Sequence, residues 1–174
     1  MGNKVFYAII AILVIGFTGF VVVKNNNTRP ATRLGQQQPD KGRQHLEAGA
    51  TYPYGTNFPT SGPHSAQPAP WGEYKQELPN ETVVHNMEHG GIVVTYSSSL
   101  PKDSVTKLER LFTKPFSNPK FIPSKAIVMP GSKNDKPIII RSWNRIMKLD
   151  SFNEKTLIDY YLTNVNKSPE PAAS

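Results

Sequence analysis

The chain has no cysteine among its 174 residues. That excludes disulfides, thiolate metal ligands and an anchor built on a lipid-modified cysteine. Histidine is scarce too: there are 4, all between positions 45 and 89. An excess of one charge is almost missing from the larger part. Residues 44–174 carry 14 Lys/Arg against 12 Asp/Glu, whereas residues 1–43 carry 6 against 1. The formal net charge of +7 thus comes mainly from the N-terminal portion. The remainder lacks the concentrated basic stripe of a nucleic-acid binder, so no nucleic-acid partner is expected. No internal repeat, Ser-His-Asp order, phosphate loop or dinucleotide fingerprint rises above noise.

What is present begins with Val5–Val23, a run of 19 residues without a charge. It is long enough to cross a hydrocarbon core as a helix. Its length and the lack of an A-x-A-like site after it argue for an uncleaved anchor over a cleaved signal. Residues 1–24 are therefore expected to be a transmembrane signal anchor. Lys24, Arg29, Arg33, Lys41 and Arg43 follow the run, and the positive-inside rule would keep them cytoplasmic. A four-residue amino tail nevertheless resembles an export signal, and long domains translocate largely regardless of charge. The expected location is the cell membrane, single-pass, with the domain extracytoplasmic. Residues 25–42 are polar, without apolar period, and read as a flexible linker.

Residues 43–170 read as the globular domain and 171–174 as a frayed tail. From Tyr52 to Trp71 five prolines (Pro53, Pro59, Pro63, Pro68, Pro70) argue against regular structure, while Tyr52, Tyr54, Phe58, Trp71 and Tyr74 offer surface to bury. Thr60-Ser61-Gly62-Pro63-His64 reads as a stiff turn carrying His64. Asn80 is a candidate cap for a helix over 81–89, with Gly90 as its left-handed terminator. Ile92–Tyr96 reads as a strand. Val105, Leu108, Leu111 and Phe112 recur at helical spacing, and Ala126–Met129 and Pro137–Arg141 are short strands. Asn153 is a natural cap for a last helix, with Phe152 stapled to Leu157. The expected fold is α+β: a small mixed or antiparallel sheet packed by two to three helices. A thioredoxin-like arrangement would end in the same order of elements, but no Cys-x-x-Cys supports redox work.

The chemistry centres on His85-Asn86-Met87-Glu88-His89-Gly90-Gly91. Histidines four apart share a helix face, and imidazole suits zinc, copper, iron or nickel. His85 and His89 would supply that face, His64 would come from the stiff turn, and His45 is the fourth candidate. The alternative is four unrelated histidines bonded to backbone carbonyls. Glu88 completes His-x-x-Glu-His, a peptidase pattern in which it would deprotonate a zinc-bound water. The immediate Gly90-Gly91 stop and the small domain weigh against that, leaving Glu88 to orient a histidine or face solvent. Met87 reads as core. Trp143 could line a pocket or pack structurally.

Several stretches resemble domain-of-unknown-function family 3105, membrane-anchored or exported proteins of bacteria and archaea. They are Gly42-Arg43-Gln44-His45, Pro59-Thr60-Ser61-Gly62-Pro63-His64, Trp71-Gly72-Glu73-Tyr74 and Val84 through Gly91. Ser142-Trp143-Asn144-Arg145 is similar to the family's Ala-Trp-Gly-Arg, and Ser168-Pro169-Glu170 to its Gly-Pro-Glu close. The resemblance spans about residues 42–170 and includes all four histidine positions. It implies a shared metal site and no particular reaction. The expectation is a membrane-anchored domain binding copper or zinc through His45, His64, His85 and His89, with a membrane-protein or envelope partner as a candidate. Its rival is a metal-free module whose aromatic segment docks a peptide, glycan or membrane protein. A hydrolase with Glu88 as base ranks third.

Overall fold

The computed structural model describes residues 32–113, 119–121 and 124–172. Arg33–Ser174 form one compact unit. The span expected over Val5–Val23 lies outside the described residues, among which no helix is long and apolar enough to cross a membrane.

Among the described residues the architecture is α+β, with a mixed sheet and three α-helices. In chain order the elements are β1 (Gln36–Gln37), β2 (His45–Leu46), β3 (His64–Ser65), β4 (Gly72–Glu73), α1 (Asn80–Glu88), β5 (Ile92–Tyr96), α2 (Lys102–Thr113), β6 (Ala126–Pro130), β7 (Ile138–Ser142), β8 (Arg145–Leu149) and α3 (Glu154–Asn164). The main sheet runs β1-β8-β7-β5-β6-β4. β5 is parallel to β6 and antiparallel to β7, while β7 and β8 form an antiparallel hairpin. β2 and β3 make a separate parallel pair.

Strands buried on both faces read as continuous apolar runs, and β5, β6 and β7 are such runs. Alternation then sorts their side chains into two cores. Ile92, Val94, Val128, Ile138 and Ile140 face α2 and α3, joining Leu108, Phe112, Leu157 and Tyr161. Val93, Ile127 and Met129 face the other way and meet Val83, Val84 and Met87 of α1, with Tyr54 and Trp143. Tyr52, Trp71 and Tyr74 pack onto this second core. The prolines stop the segment from forming long strands, and the sheet gives its rings something to cover.

Four expectations change. Part of the polar linker belongs to the fold: Gln36 and Gln37 pair with Ile146 and Arg145, and Arg33 donates to Asn164 and to the Trp143 carbonyl. The irregular segment holds one short strand, β3, and a second, β4, begins directly after it. The sequence does not signal β8, because Trp143-Asn144 lacks the Asn-Gly signature of a two-residue hairpin. Asn144 nevertheless adopts φ +57° there. Finally, α1 has no side-chain cap. Asn80 Oδ1 instead accepts from Arg141 Nη1 at 3.2 Å, and the same nitrogen donates to the Pro59 carbonyl at 3.1 Å. Arg141 is fully buried, and burial pushes its guanidinium down to about 10, so it stays cationic at neutral pH. Hydrogen bonds from a charged donor contribute about 1.5–3 kcal/mol each. Arg141 thereby ties the start of α1 and the entry to the His64 turn onto the sheet.

The cap on α3 forms as expected, with Asn153 Oδ1 accepting from Thr156 N at 3.0 Å. Asn153→Ala should lower unfolding free energy by about 1 kcal/mol. Chemical denaturation of the two proteins side by side checks this, and an unchanged midpoint would refute it.

Candidate metal centre

β2 and β3 set His45 directly opposite His64. The pairing is held by His64 N donating to the Gln44 carbonyl (2.9 Å) and Gly62 N to the Gly42 carbonyl (2.8 Å). The turn before His64 is buried and depends on Gly62, at φ +121° beside the Tyr54 ring. Tyr54 also donates to the Pro63 carbonyl at 2.6 Å. The second wall is the last turn of α1. There Asn86 clamps the proline-rich segment through two bonds to Ala69, at 3.0 and 2.8 Å. Positions 85, 88 and 89 fall on one helix face at i, i+3 and i+4, and that face looks onto β3.

The imidazoles are packed together. His64 and His85 rings are 5.1 Å apart, as are His45 and His64, and His45 stacks on His85 at the same distance. Ligating atoms of His45, His64, His85 and Glu88 all lie within 4.8 Å of one another. The His89 ring belongs beside this group: its Nε2 is 2.9 Å from His85 Nε2, and it groups with Glu88 and Glu170. Glu88, read from the sequence as orienting a histidine or facing solvent, thus stands among the imidazoles. Its spacing of three from His85 was the signal that could have placed it there. Met87 is buried in the second core. Trp143 is buried too, its ring 6.4 Å from that of His64 and its Nε1 donating to Asp40.

The proton positions follow from the partners. A carbonyl oxygen only accepts, so His64 Nδ1, 2.8 Å from the Gly62 carbonyl, must carry a hydrogen. His85 Nδ1 does the same at the Ser65 carbonyl, 2.6 Å away. In the neutral rings both Nε2 atoms are therefore bare. His64 Nε2 nevertheless stands 3.0 Å from Glu88 Oε2, with His45 Nε2 3.8 Å from the same oxygen. Two acceptors at that distance repel unless a cation or a proton lies between them. Nδ1 bonded to a carbonyl with Nε2 free is also how metal-binding histidines are commonly oriented. Donor atoms around a tetrahedral zinc at about 2.0–2.1 Å are about 3.3 Å from one another. The contacts observed here bracket that spacing, so the residues fit an ion. The His64 and Glu88 side chains are essentially buried, while that of His45 is 52% exposed, which leaves one side open to solvent.

Burial lowers the pKa of both His85 and His89 from the ordinary 6.5. At His85 the neighbouring histidines add to this against the Ser65 carbonyl; at His89 Lys125 adds to it against Glu88 and Glu170. A depressed histidine pKa means that the unfolded chain binds more protons, so stability rises with pH through the window below 6.5. Metal-free protein should accordingly melt lower at pH 6 than at pH 7.5. His85→Gln should flatten that slope; an equal slope in thermal melts of the variant would contradict the assignment.

A family model described as a protein of unknown function, DUF3105, matches residues 45–174. The chain belongs to this family. No curated protein and no solved structure matches it. The DUF3105 match begins at His45 and covers every residue of the cluster, Glu170 included.

Proposed function

We propose that this DUF3105 protein binds a transition metal ion, copper or zinc, through His45, His64, His85 and Glu88. The domain would sit on the extracytoplasmic side of a membrane, held by Val5–Val23. The observation carrying the proposal is the pair of bare Nε2 atoms, oriented by the Gly62 and Ser65 carbonyls, with Glu88 facing His64. Three neutral imidazoles and one carboxylate suit borderline divalent ions better than soft Cu(I). When bound, such an ion supplies Lewis acidity at any open position or, if copper, a redox couple. The protein's own groups orient the rings, offset the ion's charge through Glu88 and leave an entry at His45.

That exposed side favours storage or delivery over a closed structural role, with an envelope protein as the exchanging partner. Hydrolysis is less favoured, because the carboxylate that would serve as base is among the groups facing the ion. The docking-module reading is less favoured: Tyr54 is buried in the second core, and Tyr52, Trp71 and Tyr74 pack partly buried against it. The test is elemental analysis of the full-length chain, purified in detergent without a histidine tag. Stoichiometric copper or zinc is expected. Adding the ion to stripped protein at 100 times its dissociation constant should raise stability by about 2.7 kcal/mol. Protein that carries no metal, and whose melting neither ion changes, would sink the proposal.

A further inference from the structure

We infer that Glu88 is shared, and that with His89 and Glu170 it holds a second divalent ion beside the first. This rests on the reading of the first site. Ligating atoms of Glu88, His89 and Glu170 lie within 4.8 Å of one another, and Glu88 is the one residue common to both groups. Only Oε2 of Glu88 is engaged by His45 and His64; among the described residues Oε1 receives no hydrogen bond. A carboxylate with one oxygen turned to each of two ions is a usual bridge in two-metal sites, where the ions stand about 3.5–4 Å apart.

His89 supplies the independent sign. The residue is only 8% exposed, yet its Nδ1 is buried without a hydrogen-bond partner among the described residues. Buried polar atoms are rarely left so. His85 Nε2 is bare, so in the metal-free protein His89 must donate its own Nε2–H across the 2.9 Å contact. That puts the His89 lone pair on the orphaned Nδ1. One lone pair on His85 cannot serve both an ion and His89, so filling the first site releases His89 as well. The ring then lacks partners at both nitrogens, with two carboxylates beside it.

Glu170 is brought there by backbone contacts. The segment after α3 lies along the end of α1, with Asn166 N donating to the Gly90 carbonyl (2.9 Å) and Glu170 N to the Glu88 carbonyl (3.1 Å). Two cations are nearby. Lys125 Nζ is engaged with the carbonyls of His89 and Pro171. Arg43 meets Glu170 at 3.5 Å in a largely exposed pair, and such pairs contribute so little that an ion can displace them.

Equilibrium dialysis of the full-length protein against Zn²⁺ should give two equivalents, falling to one in Glu170→Gln. His89→Gln should also fall to one, and it keeps the test open if the first variant folds poorly. Melting of the metal-free variants monitors folding. With Cu²⁺, paramagnetic resonance should show a coupled pair in the wild type and an uncoupled single ion in Glu170→Gln. One equivalent in the wild type and in both variants would overturn the second ion and leave the first reading standing. Two equivalents in every protein would overturn it as well. No bound metal in any of them would remove both.

Discussion

Replacing His64 by Gln should weaken metal binding at least about 100-fold. That is the upper end of what losing an outer partner of a metal ligand costs, and His64 is proposed as a ligand itself. The glutamine amide can still donate to the Gly62 carbonyl that His64 uses. It has no aromatic nitrogen to turn toward Glu88, so the geometry of the turn survives and the donor does not. His64 is also the most deeply buried histidine of the cluster. His45→Gln should cost less, because its half-exposed ring holds its place more loosely. Competition titration against a chromophoric chelator reads both constants. The rival arrangement places a proton, not an ion, between His64 and Glu88. His64→Gln would then lower the melting temperature by the same amount with and without added metal, and chelator titration would find nothing to lose. That pattern would end the metal reading.

Gly90→Ala should be strongly destabilising, at about 2–5 kcal/mol. Gly90 sits at φ +85°, and a Cβ there would lie 2.8 Å from Asn166 Cα and from Asn166 Oδ1. The left-handed backbone accounts for about 1–2 kcal/mol, and forcing an atom against fixed backbone adds about 1–3 kcal/mol. Gly49 separates the two terms. It has a similar φ of +81°, but nothing lies within 4 Å of its would-be Cβ. Gly49→Ala should therefore carry the conformational cost alone. In thermal melts Gly90→Ala should fall on the order of 10 °C, clearly below Gly49→Ala. The displaced segment is the one bearing Glu170, so a second bound ion should be lost along with stability. Equal melting of the two variants would mean that the segment after α3 yields freely and does not fix Glu170.

Most of the central fold could be read locally, for a physical reason. Ile92–Val94, Ala126–Met129 and Ile138–Ile140 are apolar on both faces, and a strand between two cores demands that. The helix carrying Leu108 and Phe112, and the Asn153 cap, rest on neighbours within one or two turns. β1 and β8 escaped because Gln36-Gln37 and Arg145–Leu149 have no two-sided apolar run. Their pairing depends on edges supplied from elsewhere. β2 and β3 are two residues each, too short for any period to register.

The site divides along the same line. The chain alone determined that His85 and His89 share a helix face ended by Gly90, and that His64 follows a stiff turn, since backbone geometry sets both within a few residues. Tertiary structure decided the rest. The β2–β3 pairing brought His45 across from His64, packing of α1 on the sheet turned Glu88 inward, and the segment after α3 delivered Glu170. Those placements rest on contacts between residues far apart in sequence, whose strength depends on what each buries against the other, and no local pattern encodes that.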